Sequence, residues 1–321
     1  MTVDGFLALR WSGGEAPLIE PPALSPIVAD PSFLFPSETP DGSWILYAHS
    51  AWGLHRYVSP DGLSWTDTGL RVRNAMRAFV RPAPGGGFMF LYEKYPPLAL
   101  PMTALPGRRR WRSRIDMRTG ADADRWGPTS TLLLPTEAWM RDAALGNAVS
   151  NPCLVPHDGD GWRLYFSASL TWIDDCGFCE PKYIGMAEAS EPGGPYPVRG
   201  GPLLGPGVAG VDPFELGAGS LKAIRLDDGW VGLQNRIYRD GQGRSRSAIF
   251  ALRSDDGIAW LPAADAPLVA PDSGWKSSHV YACDCRQDPG SGTWYLYFNA
   301  RDGWAMAEGK ERIGRLEGRE P

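Results

Sequence analysis

A five-fold recurrence of one short pattern constrains the fold of this chain more than any other feature. Each unit contains an apolar strand, an acidic or glycine-containing turn, an aromatic strand, a longer loop and a third strand. The apolar and aromatic strands of the five units read, in order, ADPSFLF and GSWILYAHS, MRAFVRP and GGFMFLYEKY, SNPCLVP and DGWRLYFSAS, AGSLKAIR and DDGWVGLQNRI, and SHVYACDC and SGTWYLYFNAR. Short runs of β-branched and aromatic residues between turn signals are typical of strands. The sequence therefore predicts an all-β protein.

The spacing of the units predicts how their sheets associate. The units recur every ~45–75 residues, in the range of radial sheet repeats. A sheet of four short strands cannot bury both of its faces alone, whereas five sheets around an axis stack face to face. We predict a single five-bladed β-propeller over residues 1–321, with blades at about 26–70, 71–135, 148–205, 210–270 and 275–321. A decorated β-sandwich is the alternative, but it explains the repeat poorly.

Three further segments complete this scheme. Phe6 to Arg10, near the start, and Glu311 to Leu316, near the end, are predicted strands that close the ring. Thr136 to Asn147, which reads TEAWMRDAALGN, is the only stretch with a convincing helical pattern. We place this predicted helix on a loop between the second and third blades.

Composition and charge argue against several classes of partner. The formal net charge is −5 and the pI is about 5.5, whereas a nucleic-acid-binding domain is expected to be basic. The one basic cluster, Arg108 to Arg114, is interpreted as a solvated strand edge. No apolar run approaches the ~18 residues that a membrane span needs, and the N-terminal segment lacks the features of a signal peptide. We expect a cytoplasmic protein without nucleic-acid or membrane partners.

The five cysteines, an odd number, fit a reducing compartment better than a disulfide framework. Cys176 and Cys179 form a CxxC motif, and Cys283 and Cys285 form a CxC motif. Thiolates suit zinc, but the CxC spacing also puts both side chains on one face of a strand, where core packing explains them. Metal, disulfide and core packing stay open for these four residues, and we predict neither a metal nor a cofactor.

The channel mouth of the predicted propeller is where we expect the chemistry. The first strand of each blade lines the channel, so residues at the strand starts converge on one face. Alignment of the units places there Asp30, Met76 or Arg77, Asn151, Ala218 and His279. The second strands return to that face with His49, Glu93, Gln234, Asn235, Arg236, Asn299 and Arg301, and three blades follow with Trp52, Trp172 and Trp304. Polar groups beside flat aromatic faces suit a small polyhydroxylated substrate.

At this point the sequence resembles a known family. VADPSFLF before GSWILYAHS, with DGLSW at the end of the first blade, is similar to the five-bladed glycosidases, chiefly glycoside hydrolase family 43 and its relatives. The resemblance covers the whole predicted propeller, and it implies an aspartate base, a second aspartate that tunes a pKa, and a glutamate acid. Asp30 matches the base. Asn151 stands where the second aspartate is expected and Ala218 where the acid is expected, so neither of these matches.

Two glutamates are candidates for the missing acid. Glu215 precedes Ala218 by three residues, and Glu93 ends a second strand that faces the mouth. Structural interpretations stand beside these functional ones. Asp30 can cap a turn, since Asp often bonds its own backbone, and Glu93 can be an ion-pair partner of an arginine. His279 can be a buried axial histidine, and the tryptophans can pack between blades.

Three functions stay open on the sequence alone. The first is a glycosidase in which Asp30 deprotonates a water and Glu215 or Glu93 protonates the leaving oxygen. The second is an enzyme that keeps the scaffold but performs cyclisation, isomerisation or elimination on a small molecule, because one carboxylate among polar donors can steer proton transfer. The third is a carbohydrate-binding module without catalysis. A fold alone does not choose among them.

Overall fold

Short strands dominate the computed structural model, which describes residues 1–102, 110–157, 159, 161–208, 215–305 and 308–321. Within these ranges the helical segments are α1 (Val3–Leu7), α2 (Ala99–Met102) and 3-10 turns at Pro36–Glu38, Ala138–Met140 and Gly274–Lys276. None of the described helices is long and apolar enough to cross a membrane. The prediction of an all-β protein is confirmed.

The strands are numbered in chain order. The first seven are β1 (Arg10–Gly13), β2 (Ala29–Leu34), β3 (Trp44–Ser50), β4 (Gly53–Ser59), β5 (Thr66–Arg73), β6 (Ala75–Pro82) and β7 (Phe88–Lys94). The next eight are β8 (Trp111–Arg112), β9 (Arg114–Gly120), β10 (Ser130–Leu133), β11 (Arg141–Asp142), β12 (Gly146–Asn147), β13 (Val149–Pro156), β14 (Trp162–Ile173) and β15 (Phe178–Ala189). The last eight are β16 (Glu215–Gly217), β17 (Leu221–Leu226), β18 (Gly229–Arg239), β19 (Ser245–Ser254), β20 (Leu261–Pro262), β21 (His279–Gln287), β22 (Trp294–Arg301) and β23 (Glu311–Arg319).

These strands form five antiparallel sheets that follow the order of the five sequence units. The first sheet contains β2 to β5, the second β6, β7, β9 and β10, and the third β13 to β15. The fourth contains β16 to β20, with β16 and β17 both paired to β18, and the fifth contains β21 to β23 together with β1. A small sixth sheet consists of β8, β11 and β12, which belong to loops of the chain between β7 and β13.

The first strands of the five sheets lie side by side in a cycle. Strand β2 contacts β6, β6 contacts β13, β13 contacts β17, β17 contacts β21, and β21 contacts β2 again. Residues at corresponding places in these strands therefore lie close together although they are far apart in sequence. This arrangement creates the candidate site.

Buried tyrosines on the second strands connect neighbouring sheets through one repeated hydrogen bond. The hydroxyl of Tyr297 in the fifth sheet donates to the carbonyl of Gly62 in the first, over 2.7 Å. In the same way, Tyr165 in the third sheet donates to Gly257 in the fourth, over 2.8 Å. Both glycines belong to the repeated turn that reads SPDGLSW in the first unit and SDDGIAW in the fourth. The DGLSW motif thus anchors one sheet to the next.

The start of the chain differs from the prediction. The expected strand from Phe6 to Arg10 is wrong in its bounds, because Phe6 lies in α1 and β1 begins only at Arg10. The Thr2 side chain caps α1, and the Phe6 ring packs edge-on against Trp294 with 4.8 Å between ring centroids. The second of these predicted segments does form a strand, since Glu311 to Leu316 lies within β23, which pairs with β1.

The predicted helix from Thr136 to Asn147 is wrong. The segment forms a single 3-10 turn and then the hairpin of β11 and β12. The Asp142 carboxylate accepts the backbone N–H groups of Ala144 and Leu145 at 2.8 and 2.7 Å. Local bonds of this kind compete with helical hydrogen bonding, and they turn the chain where a helix would continue.

The described cysteines are all free thiols, so no disulfide joins either pair. Cys176 contacts Ser245 and His279, whereas Cys283 and Cys285 are buried in the fifth sheet. No group of three His, Cys, Asp or Glu residues in the described ranges is arranged to hold a metal ion. Of the basic cluster, positions 108 and 109 lie outside the described residues.

Candidate functional site

Bulges at the start of the first strands place three polar side chains at the site. The pairing register shifts between Ala29 and Ser32 in β2, and β6 and β13 shift at the corresponding places. Each bulge contains one non-glycine residue with positive φ, namely Asp30 at 53°, Arg77 at 57° and Asn151 at 46°. Bulges re-aim side chains, and left-handed non-glycine residues persist where the surrounding structure holds them, commonly at functional sites.

In the fourth and fifth sheets, the residues equivalent to Asp30 differ from those that the sequence alignment predicted. The left-handed position of the fourth sheet is Gly219, with φ 57°, rather than Ala218. A Cβ atom on Gly219 would lie 2.1 Å from the Asn235 carbonyl oxygen, so no side chain fits there. In the fifth sheet the bulge lies between Val280 and Cys283 and contains Tyr281, so the aligned His279 is two residues too early. The expected positions of Ala218 and His279 are therefore corrected to Gly219 and Tyr281.

Asp30 is an ionised carboxylate at the mouth of the site. Its Oδ2 lies 3.2 Å from His49 Nδ1 and 4.0 Å from Arg77 Nε, and its backbone N–H donates to Asn299 Oδ1 over 3.1 Å. Burial alone raises the pKa of Asp30, but the contact with His49 and the charges of Arg77 and Lys222 outweigh burial, so the pKa falls below its ordinary value. The carboxylate is therefore ionised at neutral pH.

A small cavity opens beside Asp30. Its volume is about 10 Å³, and its lining is Asp30, Pro31, Arg77, Ala78, Asn151, Lys222, Ala282 and Cys283. This volume is close to what a single water needs. Lys222 is nearly fully buried, with its Nζ 3.5 Å from the Pro152 carbonyl oxygen. The cavity thus combines a carboxylate with two cations and an amide around a space of water size.

Arg81 and Asp284 form a buried ion pair next to this cavity. Two guanidinium nitrogens of Arg81 bond the two carboxylate oxygens of Asp284 at 2.9 and 2.6 Å. Asp284 also accepts the Ser32 hydroxyl and the Phe33 N–H. Burial raises the pKa of Asp284, but Arg81 reverses this effect and lowers the pKa to about 2. Together with Ser32, the pair joins the first, second and fifth sheets.

Glu93 is placed to hold Arg77 rather than to donate a proton to a ligand. Its side chain is fully buried. One carboxylate oxygen accepts from Arg77 at 2.6 Å, and the other accepts from the Trp111 indole nitrogen at 3.0 Å. With both oxygens occupied and no exposed surface, Glu93 is better explained by the ion-pair interpretation. It acts on the cavity by fixing the position of Arg77.

The sequence pattern did not indicate two glutamates, Glu180 and Glu311, whose pKa values are raised well above the ordinary value. Both are half-buried. Burial raises the pKa of Glu180 to about 7, with Asp30 adding to the rise and Arg77 and Arg301 opposing it. Burial raises the pKa of Glu311 to about 8, and the charges of Asp30 and Glu180 add to this rise. Asp30 thus lies within electrostatic reach of two carboxyl groups whose pKa values are raised to about 7 and about 8.

The backbone shows where each of these glutamates lies relative to the segment of Asp30. Glu180 lies opposite Thr171, where the hairpin of β14 and β15 extends beyond the residues that pair with β13. Glu311 begins β23, and its N–H donates to the Pro26 carbonyl while its own carbonyl accepts the Val28 N–H, both over 3.0 Å. Its carboxyl also accepts a bond from Asn299. Glu311 therefore adjoins the segment that leads into Asp30, and Glu180 enters from the third sheet.

Glu215 and the predicted amide residues lie together in the fourth sheet. Glu215 is buried, and its Oε1 lies 3.4 Å from Gln234 Nε2. Gln234 also donates to the Ala218 carbonyl, and Asn235 donates to the Val280 carbonyl over 2.9 Å. These amides connect strands within the fourth sheet and between the fourth and fifth.

The remaining predicted residues are distributed between the surface and the core. Trp52 is 41% exposed and offers an open aromatic face near His49. Trp172 is half-buried against Leu145, Ala148 and Leu170, and Trp304 donates to the Ser245 carbonyl over 3.1 Å.

Two further predicted residues pack against neighbouring side chains. The Arg236 guanidinium lies 3.9 Å from the centroid of the Phe250 ring. His279 is buried, with Ser278 Oγ 3.1 Å from its Nδ1 and Cys176 Sγ 3.6 Å from its Nε2. Burial and the charges of Arg301 and Arg246 lower the pKa of His279 to about 4. It stays neutral at physiological pH, and through Cys176 it contacts the turn of the β14–β15 hairpin in the third sheet.

Comparison with known proteins identifies the fold. The sequence matches no family model and no curated protein. Among solved structures, an N-acetylgalactosamine deacetylase from F. plautii, determined with blood group B trisaccharide, matches with a TM-score of 0.62 and 16% identity over 97% of this chain and 95% of its own. A thermostable family-43 glycoside hydrolase matches with a TM-score of 0.59 and 13% identity over 95% of this chain and 96% of its own.

An endo-arabinase from Bacteroides thetaiotaomicron matches with a TM-score of 0.58 and 16% identity over 93% of this chain and 96% of its own. The structural similarity over nearly the whole chain establishes the fold. Because the sequence identities are this low, the substrate and the chemistry must be argued from the site. The resemblance drawn from VADPSFLF and DGLSW is confirmed at that level. The chain has the fold of the family-43 glycoside hydrolases and their relatives.

Proposed function

We propose that this protein is a glycoside hydrolase that acts on a small glycoside or oligosaccharide, with Asp30 as its general base and Glu180 as its general acid. The observation that carries the proposal is the pairing of opposite protonation states. Asp30 stays ionised beside a water-sized cavity, and Glu180, within electrostatic reach, has a pKa of about 7. Two carboxyl groups whose environments separate their pKa values in this way are the signature of an acid and a base.

The architecture that supports this proposal is a single five-bladed propeller over residues 1–321. The cycle of contacts among β2, β6, β13, β17 and β21 supports five blades around one axis. The pairing of β1 with β23 supports closure of the ring within the fifth blade. In such a ring the third blade is not adjacent to the first, so Glu180 would approach Asp30 from across the mouth. Inverting glycosidases need this kind of separation, ~6.5–9.5 Å, to leave room for a water.

The proposed mechanism assigns one task to each side chain. Asp30 removes a proton from a water in the cavity as the water attacks the anomeric carbon. Glu180 donates its proton to the glycosidic oxygen as the bond to that oxygen breaks. Arg77 and Lys222 hold Asp30 ionised, and Glu93 holds Arg77 in place. Each reaction thus transfers one proton from Glu180 to the leaving group and one from water to Asp30.

Glu180 is preferred over the other candidate acids for physical reasons. Glu93 is fully buried with both oxygens bonded. Glu215 is buried beside Gln234 in the fourth sheet, and it remains the second candidate. Glu311 has a raised pKa, but its backbone is bonded beside Asp30's own segment, so we assign it the role of a protonated neighbour. The free thiols favour a reducing compartment, and we propose a cytoplasmic location.

A second function class is favoured by one observation. Gly219 leaves no side chain where the family-43 resemblance implies the acid. A propeller enzyme that performs a proton transfer without hydrolysis, such as an isomerisation or elimination, would use the same ionised Asp30 and protonated Glu180. Release of a reducing sugar from a glycoside separates the two classes.

The test compares leaving groups. The unmodified protein is screened against aryl glycosides and short oligosaccharides, and Glu180→Gln, Glu215→Gln and Glu93→Gln are then compared on good and poor leaving groups. General acid catalysis contributes ~10²–10⁴-fold, so Glu180→Gln should lose a rate factor of this size on the poor leaving group and far less on the good one. Glu15→Gln, at an exposed position, is the matched control.

Three results would contradict the proposal. If Glu215→Gln alone shows the leaving-group effect, the acid is Glu215. If none of the three variants shows it, general acid catalysis by Glu180, Glu215 or Glu93 is excluded. If the unmodified protein cleaves no glycoside, hydrolysis is abandoned in favour of the non-hydrolytic class.

A further inference from the structure

A second cavity lies away from Asp30, on the small sheet of β8, β11 and β12. Its volume is about 250 Å³, and arginines dominate its lining, with Arg110, Arg112 and Arg141 beside Asp142 and Asn147. Pockets that bury drug-sized ligands are roughly 300–1,000 Å³, so this one suits a single charged group or one sugar unit. We call it the arginine pocket.

The charges of the arginine pocket are poorly balanced by protein groups. Arg110 and Arg112 are exposed, and neither forms an ion pair with a carboxylate of the described residues. The Arg141 guanidinium donates to the carbonyls of Pro135 and Thr136 at 3.0 and 2.6 Å, which fix its position without neutralising it. Asp142 is the one carboxylate in the lining, and one of its oxygens is occupied by two backbone N–H groups of the turn.

Strand geometry explains why the three guanidinium groups face one cavity. Trp111 bonds Glu93 through its indole nitrogen, so the Trp111 side chain points towards the second sheet. Arg112 of β8 pairs with Asn147, and Asn147 pairs with Arg141 across the β11–β12 hairpin, so these three side chains lie on one face of the small sheet. Arg110, directly before β8, also lines the cavity. The parallel pairing of Gly146 with Trp111 brings that hairpin alongside. Two separate loops are thus joined so that three cations converge.

We propose that the arginine pocket binds an oxyanion, a carboxylate or a sulfate or phosphate ester, carried by a sugar unit of the substrate that is not the one cleaved. Planar guanidinium groups recognise such groups through paired hydrogen bonds. Trp111, which lies between Arg110 and Arg112 in the sequence, bonds Glu93, and Glu93 bonds Arg77. These two bonds connect the pocket to the candidate site, and a substrate that spans both would be an acidic carbohydrate. The substrate assignment rests on the proposed function, whereas anion binding does not.

The test measures anion binding directly on the full chain by calorimetric titration. The probes are inorganic sulfate, inorganic phosphate, glucuronate and, as the neutral control, glucose. The Arg110→Gln/Arg112→Gln double variant removes two guanidinium groups that make no described structural bond. Arg112→Lys keeps the charge but removes the planar fork. Arg10→Gln, at an exposed position of β1, is the control for loss of an arginine outside the pocket.

At low ionic strength we expect saturable binding of at least one anion and none of glucose. The double variant should weaken this binding at least tenfold, about 1.4 kcal/mol, and Arg112→Lys should weaken it by less. Arg10→Gln should change it less than twofold. The anion that binds most tightly distinguishes a carboxylate from a sulfate or phosphate ester.

Absence of saturable binding for all three anions would overturn the inference. So would equal weakening by Arg10→Gln, since that result would indicate general attraction between charges. Asp30→Asn should retain anion binding in full, because Asp30 does not line the arginine pocket. This variant separates failure of the pocket from failure of the proposed hydrolysis.

Discussion

Replacement of Glu311 by glutamine should stabilise the protein, and the gain should grow with pH. The pKa of Glu311 rises from 4.5 to about 8 on folding. Between these values the folded state holds a proton that the unfolded state has released, so the free energy of unfolding falls as pH rises. A glutamine side chain at this position would still accept the bond from Asn299 that Glu311 accepts, while carrying no charge at any pH.

The size of the effect follows from the shift. One pKa unit corresponds to about 1.36 kcal/mol, so ionisation of Glu311 would cost up to about 4 kcal/mol at pH 8 and less than about 1 kcal/mol at pH 5. Local relaxation and water reduce such figures. We therefore expect Glu311→Gln to gain at least about 1 kcal/mol more at pH 8 than at pH 5.

The assay is urea unfolding at pH 5 and pH 8 for the unmodified protein, Glu311→Gln and Glu15→Gln. Glu15 is exposed, so its variant should show the same difference as the unmodified protein. Equal stability changes at both pH values for Glu311→Gln would refute the reasoning. A loss of stability at pH 8 would show that the ionised carboxylate is favourable where it stands.

Three further predictions concern Asp30, Lys222 and Asp284. Asp30→Asn should abolish turnover while leaving Tm unchanged or raised, because a carboxylate held for chemistry is often not optimal for stability; a large fall in Tm would favour the turn-capping interpretation. Lys222→Met removes a nearby cation and should therefore raise the pKa of Asp30. The acidic limb of the pH profile of kcat/KM should then move to higher pH. If this limb does not move, Lys222 does not lower the pKa of Asp30. Asp284→Asn should lower the free energy of unfolding by ~3–5 kcal/mol in urea, because Arg81 would remain buried without its charged partner; a loss below about 1 kcal/mol would contradict this.

The repeat predicted the fold because each unit repeats the same local chemistry. Apolar and aromatic runs between turns specify strands wherever they occur. Sequence alignment could not locate the bulges, because a bulge adds one residue to one strand without changing composition. The fourth sheet therefore shifted by one residue, from Ala218 to Gly219, and the fifth by two, from His279 to Tyr281.

Some residues of the candidate site could be predicted from the sequence and others could not. Asp30, Arg77 and Asn151 follow from the repeat, since they occupy equivalent places in three units. Glu180 could not be found in this way, because it lies where the β14–β15 hairpin extends beyond the residues that pair with β13, and the alignment of strand starts does not cover that extension. Lys222 did leave a signal, a lysine in the otherwise apolar first strand of the fourth unit.

Other errors came from interactions over short distances. Arg141 and Asp142 satisfy neighbouring backbone groups with their side chains, and the segment therefore forms a hairpin where its sequence pattern predicted a helix.

The repeat also includes three segments that the alignment of strands left out, which read PLIEP, PLLGP and PLVAP. Each forms an isolated bridge to the sheet before it in the cycle, through Ile19, Leu204 and Val269.

The pairing of β1 with β23 has a consequence for assembly. Arg10 lies opposite Arg319, so during synthesis β1 leaves the ribosome long before its partner strand exists. Contacts between residues so distant in sequence slow folding, and until they form, the edge of β23 is open to any compatible strand. The β1 strand of a second copy is the best match for that edge. Exchange of β1 between two copies is therefore the misassembly expected when the protein refolds at high concentration.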